Sequence, residues 1–202
     1  MKNISRFTLV EVLAVMALIA ILAAIGFGVY SYSKAKAKES STEALLKQVD
    51  AGLGAFNTKF GYYPKSSGGD FSTIKFELND DGTVKSVDFG GEKLERQSGT
   101  GKVADEKNKR LEAFTKSLDM ETIKNSLTEP DSSGNRTLID AWGKPIYYRS
   151  PGKFKKGGYD LISGGPDGKF GKGNANDPTG ITDLSQFRET AGEHSCDDVF
   201  TF

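Results

Sequence analysis

From Phe7 to Ser33 the chain is almost uniformly apolar, "FTLVEVLAVMALIAILAAIGFGVYSYS", with one carboxylate, Glu11, near its start. Between Glu11 and Lys34 lie 22 uncharged residues, Val12 to Ser33. A bilayer core of about 30 Å needs roughly 20 helical residues at ~1.5 Å each, so this run is long enough to span one. The pattern then changes without breaking. Ala44, Leu45, Val49, Leu53, Phe56 and Phe60 recur every three or four positions, with lysines and glutamates on the opposite face, which is an amphipathic stripe. "GYYP", Gly61 to Pro64, ends it, because proline cannot continue a helix and glycine permits the turn. The spacing predicts one helix of about 50 residues, with residues 7–33 transmembrane and residues 34–62 amphipathic and closing a core.

Downstream the period falls to two. Ile74, Phe76 and Leu78 alternate, "NDDG" offers a turn, and Val87 and Phe89 alternate again, which predicts a β-hairpin. "GGEKLERQSGTGKVADEKNKR", residues 90–110, reads as a mobile excursion. Leu111, Phe114, Leu118, Ile123 and Leu127 predict one or two short helices before Pro130. Residues 66–130 are thus a variable insertion with a hairpin and short helices. In residues 131–202, "IYYR" and "YDLIS" read as short strands joined by a Pro-Gly turn, followed by a glycine-rich loop. Trp142, Tyr147 and Tyr148 are expected in the core, where aromatics dominate small domains. The fold class expected is α+β, a long N-terminal helix packed on a small antiparallel sheet.

Composition narrows the function. Lysine plus arginine and aspartate plus glutamate both number 27, and a balanced charge gives no reason to expect nucleic acid as a partner. Much of the 37 % hydrophobic content lies in the first 33 residues, so the globular part has a modest core. Cys196 has no second cysteine to pair with in the chain. It stands in "GEHSCDD" beside His194, Ser195, Asp197 and Asp198, but catalytic partners converge from different elements rather than from adjacent positions. No phosphate loop, paired cysteines or zinc helix is present, so no catalytic activity is expected.

Ahead of the apolar run, "MKNISR" holds Lys2 and Arg6 and no acid. Positive charge on the short flank favours a cytoplasmic N-terminus, with everything beyond about Lys34 outside. A cleaved signal peptide, with Ala35 and Ala37 at cleavage-site spacing, would release a secreted protein. A plain signal anchor would tether a monomeric binding domain, but it leaves Glu11 unexplained. An unpaired carboxylate in a membrane costs several kcal/mol, so a glutamate there has a partner.

"FTLVEVLAVMALIAILAAIG" resembles the N-terminus of type IV pilins and of type II secretion pseudopilins. The resemblance implies a prepilin peptidase that cuts on the cytoplasmic side between Arg6 and Phe7 and methylates Phe7, the first mature residue. It makes Glu11 the fifth mature residue, paired with the terminal amine of a neighbouring subunit during assembly. The leader departs from the family's by ending in Arg6 rather than glycine. Breaking such a desolvated pair strands a charge at roughly 3–5 kcal/mol, so Glu11 would favour one stacking register over others. Implied with it are a homopolymer through the N-terminal helix and a pilin-like fold. Also implied are a single pass through the bacterial inner membrane with a periplasmic domain, and an extracytoplasmic filament after assembly by secretion or pilus machinery.

The other end carries a second likeness. "DAWGKPIYYRSPG" and "YDLISGGPDGKFG" resemble the strand-and-turn block and the start of the calcium-binding loop in the major pseudopilin of type II secretion. Asp167, Asn174, Asn176 and Asp177 bring short oxygen-bearing side chains among glycines, and calcium takes six to eight oxygens. Asp and Asn in such a loop are equally ordinary turn formers. The resemblance implies side-chain oxygens from Asp167 and Asp177 and carbonyls from Leu161 and Ser163, with Asn174 and Asn176 as neutral donors. "KGNANDPTG" carries asparagines and a lysine where the family carries acids, which predicts weak binding of a structural ion. The function expected is a subunit of a secretion pseudopilus, with a type IV pilus subunit as the alternative.

Overall fold

The computed structural model describes residues 8–170, 178, 179, 181 and 199–201, and only the backbone of residues 23–29 and 199–201. The chain divides into two compact units, Met1–Lys38 and Glu39–Phe202. Helix α1 runs Leu9–Phe60, 52 residues, as the spacing predicts. Gly61 follows at φ 78°, a left-handed cap that suits glycine, and its N–H bonds the Asn57 carbonyl at 2.7 Å.

The globular unit holds two four-stranded antiparallel sheets rather than the single small one expected. β1 (Ser72–Thr73), β6 (Ile146–Arg149), β7 (Asp160–Ser163) and β8 (Val199–Thr201) form one, in that order. The other is ordered β4 (Lys93–Glu95), β3 (Val84–Asp88), β2 (Lys75–Leu78), β5 (Asn135–Thr137). The predicted hairpin is β2–β3, with Phe76 opposite Val87. Both sheets take strands from either side of residue 130, so the variable segment and the C-terminal segment share one framework.

Leu45, Leu46, Val49, Leu53 and Phe56 of α1 are buried with Ile74, Phe76, Val87, Phe89, Ile146, Tyr148 and Leu161 in one core. Phe60 packs half-buried at its edge. Ala44, expected in the stripe, is exposed; the register instead buries Leu46. The excursion expected over residues 90–110 is also corrected. Its first part is β4, which buries Leu94 against β3, and its second opens α2 (Lys102–Thr115). α2 turns Leu111 and Phe114 into the core and crosses α1 closely at Gly52, where a Cβ would lie 2.8 Å from the Phe114 carbonyl. α3 (Met120–Asn125) starts at Asp119, whose side chain accepts the Glu121 N–H and the Thr122 hydroxyl.

Tyr148 is fully buried, as expected, and its hydroxyl donates to the Pro64 carbonyl at 2.7 Å. Trp142 is only half-buried and stands outside the core, because its "DAWGK" segment is a surface turn. Tyr147 faces the opposite side of its sheet and packs edge-on against Phe170, in a small second cluster with Phe71 and Ile162.

Candidate functional sites

The first site is the start of α1. Glu11 lies in its first turn, and its Oε2 accepts the Thr8 N–H at 2.8 Å and the Thr8 hydroxyl at 2.9 Å. The Glu11 N–H reaches back to the Thr8 Oγ1 at 3.3 Å. This is a capping box, in which residues three apart satisfy each other's orphan groups. Within a single chain Glu11 therefore has a local partner, one that sequence reading missed although Thr-x-x-Glu was its signal. Every large hydrophobic described from Leu9 to Leu22 is exposed, from 49 % at Val12 to 76 % at Leu9. An apolar surface of that length calls for a covering partner, lipid or protein. Among the described residues no helix is long and apolar enough to cross a membrane. The side chains of residues 23–29, in the middle of the uncharged run, lie outside the described residues, as do Arg6 and Phe7.

The second site is the end of β7 and the loop after it. Leu161 and Ser163 sit on β7, between β6 and β8, with Leu161 opposite both Tyr148 and Thr201 and Ser163 opposite both Ile146 and Val199. The Ser163 hydroxyl donates to Asp140 Oδ2 at 2.6 Å. Asp140 is itself buried, and its Oδ1 accepts the N–H groups of Trp142 and Lys144, both at 2.8 Å, so it locks the "DAWGK" turn onto the sheet. Asp167 lies four residues beyond Ser163, half-buried, its Oδ1 accepting the Lys169 N–H at 2.9 Å. Asn174, Asn176 and Asp177 lie outside the described residues. Among the described residues no three histidine, cysteine, aspartate or glutamate side chains gather. The expected donor set of carboxylates, amides and carbonyls has the hard-oxygen chemistry that calcium takes, and Leu161, Ser163 and Asp167 of that set lie among the described residues.

Next to this loop stands a feature the sequence did not announce. Arg149 and Asp160, paired across β6 and β7, are both wholly buried. Arg149 donates to Asp160 Oδ2 from Nε at 2.8 Å and from Nη2 at 2.5 Å. Its guanidinium lies between the Phe71 ring, 4.0 Å away, and the Phe154 ring, 4.4 Å away. Its Nη1 donates to the Ile181 carbonyl at 2.5 Å, on the far side of the glycine-rich loop. Asp160 also accepts the N–H groups of Lys153, Phe154 and Lys155. The loop is thus held at one end by the sheet and at the other by Arg149.

Elsewhere an open groove brings Ser41, Thr122, Asn125 and Ser126 near Asp140, a carboxylate already occupied by its three donors. The segment holding His194, Ser195, Cys196, Asp197 and Asp198 lies outside the described residues.

A long N-terminal helix whose C-terminal half closes a core with antiparallel sheets is compatible with a pilin-like fold. Residues 102–181 match the family described as type II secretion system (T2SS), protein G, and this supports the likeness to pseudopilins read from the sequence. The matched span runs from α2 through β7 and the tie at Ile181. No curated protein and no solved structure matches the chain. Protein G is the major pseudopilin, a structural and membrane-associated component of secretion systems rather than an enzyme.

Proposed function

We propose that the chain is a pseudopilin subunit that polymerises through α1 and drives protein export by extending a filament. The single observation that carries this is the protein G match over residues 102–181, on a chain whose α1 begins with an exposed apolar surface and one carboxylate. In this reading residues 7–33 sit in the bacterial inner membrane, the N-terminus is cytoplasmic and the globular unit periplasmic. A prepilin peptidase cuts after Arg6 and methylates Phe7. The new α-amino group of one subunit then meets Glu11 of the next. Such a pair, out of water, holds stacking to one step, because any other step leaves a charge unpartnered. The capping box is compatible with this exchange, since both Thr8 bonds fall on one carboxylate oxygen, Oε2.

The loop after β7 binds one calcium ion in this reading, with Asp167, Asp177, Asn174 and Asn176 offering side-chain oxygens and Leu161 and Ser163 carbonyls. Its role is to fix the loop, since bound metal adds directly to folding free energy. The motor lies elsewhere in the assembly, and the chain supplies directional stacking. Intact mass of the membrane-extracted protein tests the first step. Loss of residues 1–6 with one added methyl is expected, and an uncut chain that still forms filaments overturns it.

A further inference from the structure

The flank that follows the uncharged run holds one basic side chain more than the leader: Lys34, Lys36 and Lys38 against Lys2 and Arg6. Lysines on a translocated flank oppose the orientation proposed above, so their presence there calls for a compensating role. Their placement on α1 supplies one. Tyr30, Lys34 and Lys38 are spaced at four residues and share one face of the helix. Tyr30 is 67 % exposed and Lys34 is exposed, with Lys38 half-buried. Lys36 lies on the opposite face with Tyr32 and Glu39, and both Lys36 and Glu39 have interactions of their own. No acid pairs with Lys34 or Lys38 among the described residues.

We infer that the stripe Tyr30, Lys34, Lys38 binds the phosphates of anionic phospholipid head groups in the outer leaflet of the membrane that α1 enters. This rests on the membrane reading of residues 7–33. A tyrosine at the edge of an apolar run sits with its ring at the head-group level. Lys34 is about 6 Å and Lys38 about 12 Å beyond it along the axis, and a lysine stem can lie back along the surface to bring its ammonium to the phosphates. Charge complementarity selects anionic over zwitterionic lipid, at about 1 kcal/mol, or about fivefold, for each lysine near the surface. The stripe would fix the depth of α1 before assembly, so that Glu11 is presented at one height to incoming subunits.

The experiment uses the full chain reconstituted into vesicles of equal phosphatidylcholine and phosphatidylglycerol, extracted gently and weighed with its retained lipids by native mass spectrometry. The wild-type protein retains phosphatidylglycerol over phosphatidylcholine. Lys34→Gln with Lys38→Gln loses about fivefold of that preference for each lysine removed, while Lys34→Arg with Lys38→Arg keeps it. A Lys59→Gln control, at the far end of α1, changes nothing. Equal retention of the two lipids by wild type, or an unchanged preference in the double glutamine variant, overturns the inference. A preference confined to oligomers also overturns it, and points to a second copy as the lysines' partner. A carbonate wash separates the two readings: a chain stripped from both neutral and mixed vesicles sinks the membrane reading itself, whereas one that stays in both without lipid preference sinks only this inference.

Discussion

Arg149 and Asp160 stand opposite each other on β6 and β7 with no exposure at either side chain, and every side-chain nitrogen and carboxylate oxygen of the two has a hydrogen-bond partner. Burying two charges costs several kcal/mol in lost hydration, which mutual attraction offsets only when the remaining donors and acceptors are satisfied. Here they are, by the Ile181 carbonyl on one side and three backbone N–H groups on the other. Arg149→Met therefore leaves a buried carboxylate without its counter-ion and should destabilise the domain by about 3–5 kcal/mol. Asp160→Asn should also destabilise, and the two losses should be far from additive in the double variant. Urea unfolding measures all three, and a change below about 1 kcal/mol for Arg149→Met, the range of exposed pairs, would contradict the buried arrangement.

Thr8 and Glu11 give the assembly hypothesis a control. If Glu11 mattered only as a helix cap, Thr8→Ala and Glu11→Ala would weaken filament formation equally, because either change opens the same capping box. If its charge meets a neighbour's amine, Glu11→Ala should abolish most assembly while Thr8→Ala leaves it nearly intact. Membrane retention should be unchanged in both. Filament yield by shearing and electron microscopy reads the difference, and equal defects would reduce Glu11 to a cap.

How much of this was legible depended on how local the signal was. α1 announced itself because each of Leu45, Val49, Leu53 and Phe56 reports the same period, and Gly61 and Pro64 punctuate it. The β2–β3 hairpin was legible for the same reason, alternation on both sides of a turn. The C-terminal part of α2 was legible through Leu111 and Phe114, but its first turns were hidden, because only Ala104 anchors them and Gly101 precedes them. β4 hides in three residues with one buried side chain, Leu94. Arg149 was out of reach in principle. Its site is assembled from Phe71, Phe154, Asp160 and Ile181, and no periodicity connects positions that far apart. The expected calcium set rests on sequence likeness alone: Leu161 and Ser163 lie on β7 and Asp167 just beyond it, while Asn174, Asn176 and Asp177 lie outside the described residues.

Calcium makes its own prediction. The Arg149 tie to Ile181 is a hydrogen bond of the chain's own beyond the glycine-rich loop, so chelation should lower the melting temperature without unfolding the domain outright. Asp167→Asn should produce the same lowered value and remove the response to added calcium. Calorimetric scans with and without chelator test both. A melting temperature indifferent to calcium in the wild-type protein would remove the metal from the proposal.

High pH tests the core. Tyr148 and Tyr159 are buried, and burial raises both phenol pKa values well above the ordinary value near 10. For Tyr159 the hydrogen bond to the Asp50 carboxylate adds to the rise, since that acceptor requires the phenol to keep its proton. A pKa raised on folding means that the unfolded chain gives up these protons first. The stability carried by the neutral phenols is therefore complete below about pH 10 and drains away as pH rises beyond it. The domain should unfold cooperatively in alkali. Tyr148→Phe and Tyr159→Phe, each tested alone, should leave the tyrosinate absorbance that precedes unfolding unchanged and reduce only the part released with the transition. A loss of early absorbance in either variant would mean that its hydroxyl ionises in the folded state, contrary to its position between α1, the Pro64 carbonyl and the sheet.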